Sequence, residues 1–372
     1  MADPGFTTVE MSEVFAAPNR VETMLRFEAA LALALSDSGI APAESAQRVA
    51  DACSAPVTDA EAILAGAWSE GTPLAPLLEE IRGRVPEDDA RWLHHGATTQ
   101  DVVDTAAMIQ ADQALGILDS GLVALARLLA RLTVDHRDQP QMGRTFLQHA
   151  RPSTFGFRTS TWLDATLRHI GQLREVRAGL VIQLGGPVGD LAPFGGRGIE
   201  VMEAVASHLG LGSPGIAWHS DRSRVAALVA CLQRCAGTMA RIGADVALLA
   251  SSDIAEIRVR PGGSSSMAGK QNPIDAIRAV AAAEACTGAA SMIVGARSPE
   301  LDRGVGGWHV EWLALPLVFQ TTAASVEAMT TCLQSLQVDS GQMASRAGAA
   351  PVLDPRLIDR VVAHFEEMVE PQ

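Results

Sequence analysis

The stretch DRSRVAALVACLQRCAGTMARIGADVALL, residues 221–249, decides the fold. Across it Val225, Leu228, Leu232, Cys235, Met239, Ile242, Val246 and Leu249 recur at alternating steps of three and four. A chain that turns once in about 3.6 residues gathers such a series onto one stripe. The segment is therefore expected to be a single long helix with the apolar seam of a coiled coil or bundle, and Asp221 or Ser220 stands where a cap is needed. Working outward, residues 103–135, 153–184, 273–296 and 308–336 have the same character. They are rich in Ala and Leu, both strong helix formers, and Gly and Pro tend to fall between them. Rods this long exceed the roughly three to four turns of an ordinary globular helix, so the fold class is all-α, a bundle of long helices. Strand-type alternation is scarce, which argues against a doubly wound sheet or a barrel.

Shorter pieces broken by Pro42, Pro56, Pro73, Pro76 and Pro86 mark residues 1–102 as a small N-terminal helical domain. Residues 103–338 form the central bundle, and residues 339–372 leave room for one helix near 355–369 and little else. Two Gly-rich loops, GGPVGDLAPFGGRG (185–198) and PGGSSSMAGKQNP (261–273), join rods. The glycines of the first follow a helical segment rather than a strand, so they are no dinucleotide fingerprint.

With 48% apolar and 19% charged residues the chain can bury a sizeable core and is not of disordered type. Its net charge of −14 makes nucleic acid or an anionic membrane surface a poor partner in bulk. A local cluster of cations and helix N-termini can still hold a small anion. The opening MADPGFTTVEMSEVF lacks a signal-peptide pattern, and no long unbroken apolar run predicts a membrane span. Five scattered cysteines without a CxxC pair point to a reducing cytoplasm and no disulfide framework. Cys231 and Cys235, one turn apart without further ligands, read as packing.

Chemistry concentrates in residues 262–273. Small residues make this loop mobile, three hydroxyls are possible bases, Lys270 brings a positive charge, and Pro273 stands where a helix can start. The N–H groups of that helix end suit an anion; composition alone favours a flexible Gly/Ser linker. The loop resembles the GSSxMPxKxNP motif of the fumarase/aspartase superfamily. Two further regions of that superfamily follow the expected order, HHGATTQD at 94–101 and GRTFLQHARP at 143–152. Within it, RTFLQHARPSTFGFRTSTWLD, AWHSDRSR (217–224) and LDRGVGGWHVEW (301–312) are similar to the branch of the bacterial 3-carboxy-cis,cis-muconate cycloisomerases.

The resemblance implies a homotetramer whose bundles form a twenty-helix core, with active sites shared between subunits. It also implies a small anionic polycarboxylate substrate and no metal or organic cofactor. Carried over by motif, Ser264 is the general base, with Ser265 beside it as the alternative, while Lys270 and Asn272 bind the carboxylate on which charge accumulates. Thr98, Thr99 and Gln100 open a helix toward a carboxylate, and Thr98 can cap that helix at the same time. His94 matches a histidine near substrate, and His95 is read as structural. Arg144 and Thr145 belong to the second region, where an arginine serves equally as a ligand or a helix-surface charge. Arg222 and Arg303 are expected as carboxylate clamps; Trp308, His309 and Trp312 read as packing.

Three departures bear on the reaction. The histidine that usually follows Arg-Thr, and the glutamate four residues past Asn-Pro, are here Phe146 and Ile277. Loss of both favours a reaction whose leaving group needs no proton donor, such as lactonisation by the substrate's own carboxylate. His149, taken as one turn from Phe146, is a candidate substitute donor. Ala268 and Gln271 replace the proline and arginine of the cycloisomerase loop, which leaves substrate choice open. The rival reaction is β-elimination from a substituted succinate with release of fumarate. The rival outside enzymology is a non-catalytic scaffold, which the retention of Ser264, Lys270 and Asn272 disfavours.

Overall fold

The computed structural model describes residues 3–67, 71–267, 269–295, 299–351 and 353–370. The helices before the bundle are α1 (Val9–Val14), α2 (Ala17–Asp37), α3 (Ala43–Ser54), α4 (Ala60–Ala65) and α5 (Leu74–Arg82). The bundle is built from α6 (Thr99–Asp135), α7 (Phe155–Ala178), α9 (Ser223–Leu249), α10 (Ile274–Gly295) and α11 (Gly307–Gln334). A short α8 (Gly198–Leu209) precedes α9, and α12 (Ser340–Ala347) and α13 (Arg356–Val369) close the chain. Four of the expected rods are in place, the end of the one reaching Ala296 lying outside the described residues; the rod expected over 153–184 is shorter, Phe155–Ala178, ending at Gly179 before an extended segment. The seam of α9 is buried at all eight positions. Its cap differs: Arg222 occupies the N-cap, and Asp221 accepts the Ser223 N–H through its side chain.

Two apolar clusters organise the chain. One fills the bundle, from Met108 on α6 to Met329 on α11, and reaches Phe365 on α13. The other joins α2, α3 and α5 to the start of α6 and also takes in Ile182, Leu184, Val201 and Val205, so the stretch around α8 packs with the N-terminal helices. A small residue permits a close helix approach: a Cβ on Gly243 of α9 would stand 2.8 Å from the Ala276 carbonyl of α10.

Residues 140–154 depart from the helical reading. They form an antiparallel hairpin, β1 (Pro140–Thr145) and β2 (Gln148–Thr154), with Phe146 and Leu147 as the two-residue turn. Both turn residues have positive φ, 50° and 61°, the twist that two-residue hairpins need. Phe146 and His149 are consequently not stacked a turn apart. A second short pair, β3 (Ile257–Arg258) with β4 (Gln337–Val338), ties α9 to the end of α11. At the hairpin base a Cβ on Gly156 would lie 2.5 Å from Arg137 Cα and 2.7 Å from the His136 carbonyl. Gly156→Ala is expected to cost about 1–3 kcal/mol through overpacking, read as a lower urea midpoint with unchanged slope.

By length and composition α9 and α10 pass as membrane spans, with mean hydropathies of 1.3 and 1.4. The lack of a long unbroken apolar run did not anticipate this. Both are bundle helices, yet only 50% and 39% of those windows is buried within the chain.

Candidate active site

Thr98 caps α6, and a reciprocal capping box joins it to Asp101. Asp101 is fully buried and accepts from Thr98 N at 2.9 Å, Gly185 N at 3.0 Å, Gly186 N at 2.9 Å and His219 Nε2 at 2.7 Å. Gly186, at φ +73°, passes so close that a Cβ would stand 2.8 Å from the Gly96 carbonyl. The 185–186 glycines therefore serve the first region through their backbone. Arg303 is exposed and donates to Thr98 Oγ1 at 3.0 Å and to the Pro187 carbonyl at 3.3 Å. His94, half-buried Thr98 and Thr99, and Arg303 thus share one end of the bundle.

Two expected ligands of this region face elsewhere. Gln100 is buried and donates to Asp104 at 3.2 Å and to the His219 carbonyl at 2.9 Å; it braces α6 from inside. Arg222, expected as a clamp, is 2% exposed. It meets Asp104 at 2.8 and 3.0 Å and Glu311 at 3.0 and 2.5 Å. Burial alone would lower its pKa, but these two carboxylates raise it; Glu311 in turn is raised by burial, against the pull of Arg222. Both faces of the guanidinium fork are committed, so the side chain is a buried cross-link between α6 and α11. Trp308 Nε1 donates to Asp104 at 2.9 Å in the same network.

The second region lies on the hairpin. Arg144 is neither on a helix nor free: it donates to Met142 O and forks onto Glu256, with Nη1 3.2 Å from Oε2 and Nη2 on Oε1. Glu256 is fully buried and also accepts from Gln141 at 2.9 Å. Thr145 and His149 are exposed near the tip.

In the 262–272 loop the Gly262–Asn272 bridge closes the base, and Asn272 Nδ2 donates to Gly263 O at 3.2 Å. Ser264 is half-buried and its Oγ accepts the Met267 N–H at 3.1 Å, whereas Ser265 and Lys270 are exposed. That oriented N–H distinguishes Ser264 from its neighbour. Ala268 lies outside the described residues.

These three regions do not meet within one chain. The first sits at the start of α6 and the second beyond its end, 37 residues later, or roughly 55 Å at 1.5 Å per residue. The loop lies past the far end of α9, which leaves the first region at Arg222 and runs for 27 residues, roughly 40 Å. Glu28, Asp101, Asp104, His219, Glu256 and Glu311 were not singled out from sequence. Asp101, His219 and Glu311 lie inside the motif stretches quoted above, and the Asp101–Asp104 spacing puts both carboxylates on one helix face; Glu28 and Glu256 carry no such local signal.

Comparison with known proteins places the chain in a family. A family profile described as Lyase matches residues 6–295. The chain is 35% identical to the 3-carboxy-cis,cis-muconate cycloisomerase of Pseudomonas aeruginosa, over 97% of this chain and 83% of that protein. It is 33% identical to the N-acetyl-S-(2-succino)cysteine lyase of Dickeya dadantii, over 91% and 75%. The crystal structure of 3-carboxy-cis,cis-muconate lactonizing enzyme from Pseudomonas putida superimposes with a TM-score of 0.86 at 32% identity, covering 92% of this chain and 78% of that one. The profile match and the near-complete alignment together place this mostly helical enzyme: it belongs to the fumarase/aspartase (Lyase) family.

Proposed function

We propose that this enzyme is a 3-carboxy-cis,cis-muconate cycloisomerase, interconverting that tricarboxylate and carboxymuconolactone in protocatechuate breakdown. The observation that carries the reading is the character of two positions, Phe146 at the hairpin tip, 97% exposed, and Ile277 in the first turn of α10, 47% exposed. Neither can hold a proton. In lactonisation an oxygen of one substrate carboxylate bonds to the double bond, and the π pair moves onto the carbon beside a second carboxylate. The Ser264 hydroxyl then delivers its proton to that carbon. Three carboxylates become two and an ester, so one proton is drawn from solvent per turnover, and no departing group needs protonation. In reverse Ser264 removes the proton, its oxyanion supported by the Met267 N–H and by Lys270, while Asn272, Lys270 and Arg303 receive the dianionic carboxylate.

The active unit in this proposal is a cytoplasmic homotetramer with a twenty-helix core. Antiparallel packing of neighbouring bundles brings the first region of one copy to the hairpin and loop of others. Exposed Leu248, Ile274, Met292 and Val294 on α9 and α10, together with the Phe146–Leu147 tip, supply apolar surface for that contact.

The test is to add 3-carboxymuconate to the purified protein and follow diene absorbance alongside proton uptake. Absorbance is expected to fall with one proton consumed per lactone; an unchanged spectrum rejects the reading. One alternative has its own support in the Dickeya dadantii relative, which acts on a succinylated thiol by its name. A thiolate, with a reference pKa of about 8.5, departs as a stable anion, so β-elimination of that kind also suits Phe146 and Ile277. Fumarate released from a 2-succinothioether, with carboxymuconate untouched, identifies that activity.

A further inference from the structure

His94 Nδ1 lies 2.7 Å from Glu28 Oε1, across the contact between the first region and α2. Glu28 is 1% exposed, and its other oxygen finds no donor. Among the described residues the second ring nitrogen of His94, Nε2, makes no protein hydrogen bond and is not sealed from solvent. His94 also holds a left-handed backbone, φ 57°, a conformation uncommon for a residue with a side chain and one that recurs at functional sites. Four residues on, Thr98 takes the Arg303 hydrogen bond. A ring anchored at one nitrogen by a buried carboxylate has its other nitrogen aimed in a fixed direction, and that nitrogen donates when the ring is a cation.

We propose that Glu28 is a positioning residue that holds His94 doubly protonated, with Nε2–H presented to a substrate carboxylate. The inference rests on the polycarboxylate reading above. Burial by itself lowers the His94 pKa; the Glu28 carboxylate outweighs it, with help from Asp101 and against Arg82, so the net shift is upward from 6.5. These three charged groups, on α2, α6 and α5, face the ring. The cationic form is therefore complete at low pH and is lost as pH rises through the raised value, and anion binding weakens along the same course.

The test uses the whole enzyme with ring-¹³C-labelled histidine, the His94 signal being assigned from its loss in His94→Gln. Propane-1,2,3-tricarboxylate serves as the binding probe. Wild type is expected to titrate above the ordinary histidine value and Glu28→Gln below it. The probe's Kd at pH 7 is expected to rise about tenfold in Glu28→Gln, which corresponds to about 1.4 kcal/mol. On carboxymuconate the same variant raises KM far more than it lowers kcat, as loss of uniform binding requires. Circular dichroism identical to wild type separates this from unfolding. A His94 titration unmoved by Glu28→Gln, or a probe Kd indifferent to both variants, overturns the inference. Because titration and probe binding involve no turnover, a protein inactive on carboxymuconate that still shows both shifts keeps the pair and discards only the assigned reaction.

Discussion

Ser264→Ala is expected to lower turnover by about 10²–10⁴, the usual contribution of a positioned acid or base, with the helical circular dichroism unchanged. The half-buried Ser264 Oγ receives the Met267 N–H at 3.1 Å, a donor that the proposed mechanism uses for the serine oxyanion. Ser265 is exposed and turned to solvent in the single chain, and Ser265→Ala is expected to change kcat by less than about tenfold on the same scale. Measured on carboxymuconate, the two variants form an internal comparison. If Ser265→Ala lost activity and Ser264→Ala kept it, the base would be the neighbour. If both retained full turnover, the serine mechanism would be gone.

Arg222→Ala has the largest expected effect on stability. It leaves Asp104 and Glu311, 3% and 6% exposed, facing each other without the cation between them. Removing one partner from a buried ion network typically costs about 3–5 kcal/mol. Arg222→Lys recovers only part of this, because an ammonium group cannot fork onto two carboxylates. Replacing all three members by apolar residues of similar volume is expected to restore much of the loss, since the burial penalty of the charges disappears with them. Urea midpoints of the single, conservative and triple variants check the series. A single variant as stable as wild type would return Arg222 to the list of groups free to bind substrate.

Sequence distance explains why some of this was legible and some was not. The rod from Ser223 to Leu249 could be read from its eight seam residues because helical periodicity is local: each position needs only neighbours three and four away. The three motif regions were legible through their resemblance to the family, each being a short run in a fixed order along the chain. The hairpin was not. Its turn carries Phe146 and Leu147 at positive φ, where Asn-Gly or Asp-Gly is the usual signal, so nothing local marks a turn that separates His149 from Phe146.

Arg222 marks the other boundary. A guanidinium adjoining a motif looks the same in sequence whether its carboxylate belongs to substrate or to protein. Its actual partners lie 118 and 89 positions away, on α6 and α11. Likewise Glu28, 66 residues from His94, is one acidic residue among many until α2 docks against the first region.

The sequence by itself determined the long helices and the mostly helical class, because backbone periodicity is a property of neighbouring positions, and its motif runs carried the family resemblance. Only the tertiary structure decided which charges are spent inside the bundle and which remain open to a ligand, and that the motif regions stand at opposite ends of it. Pairing of buried charges and the separation of sites depend on which helices meet, and no local run of residues encodes that meeting.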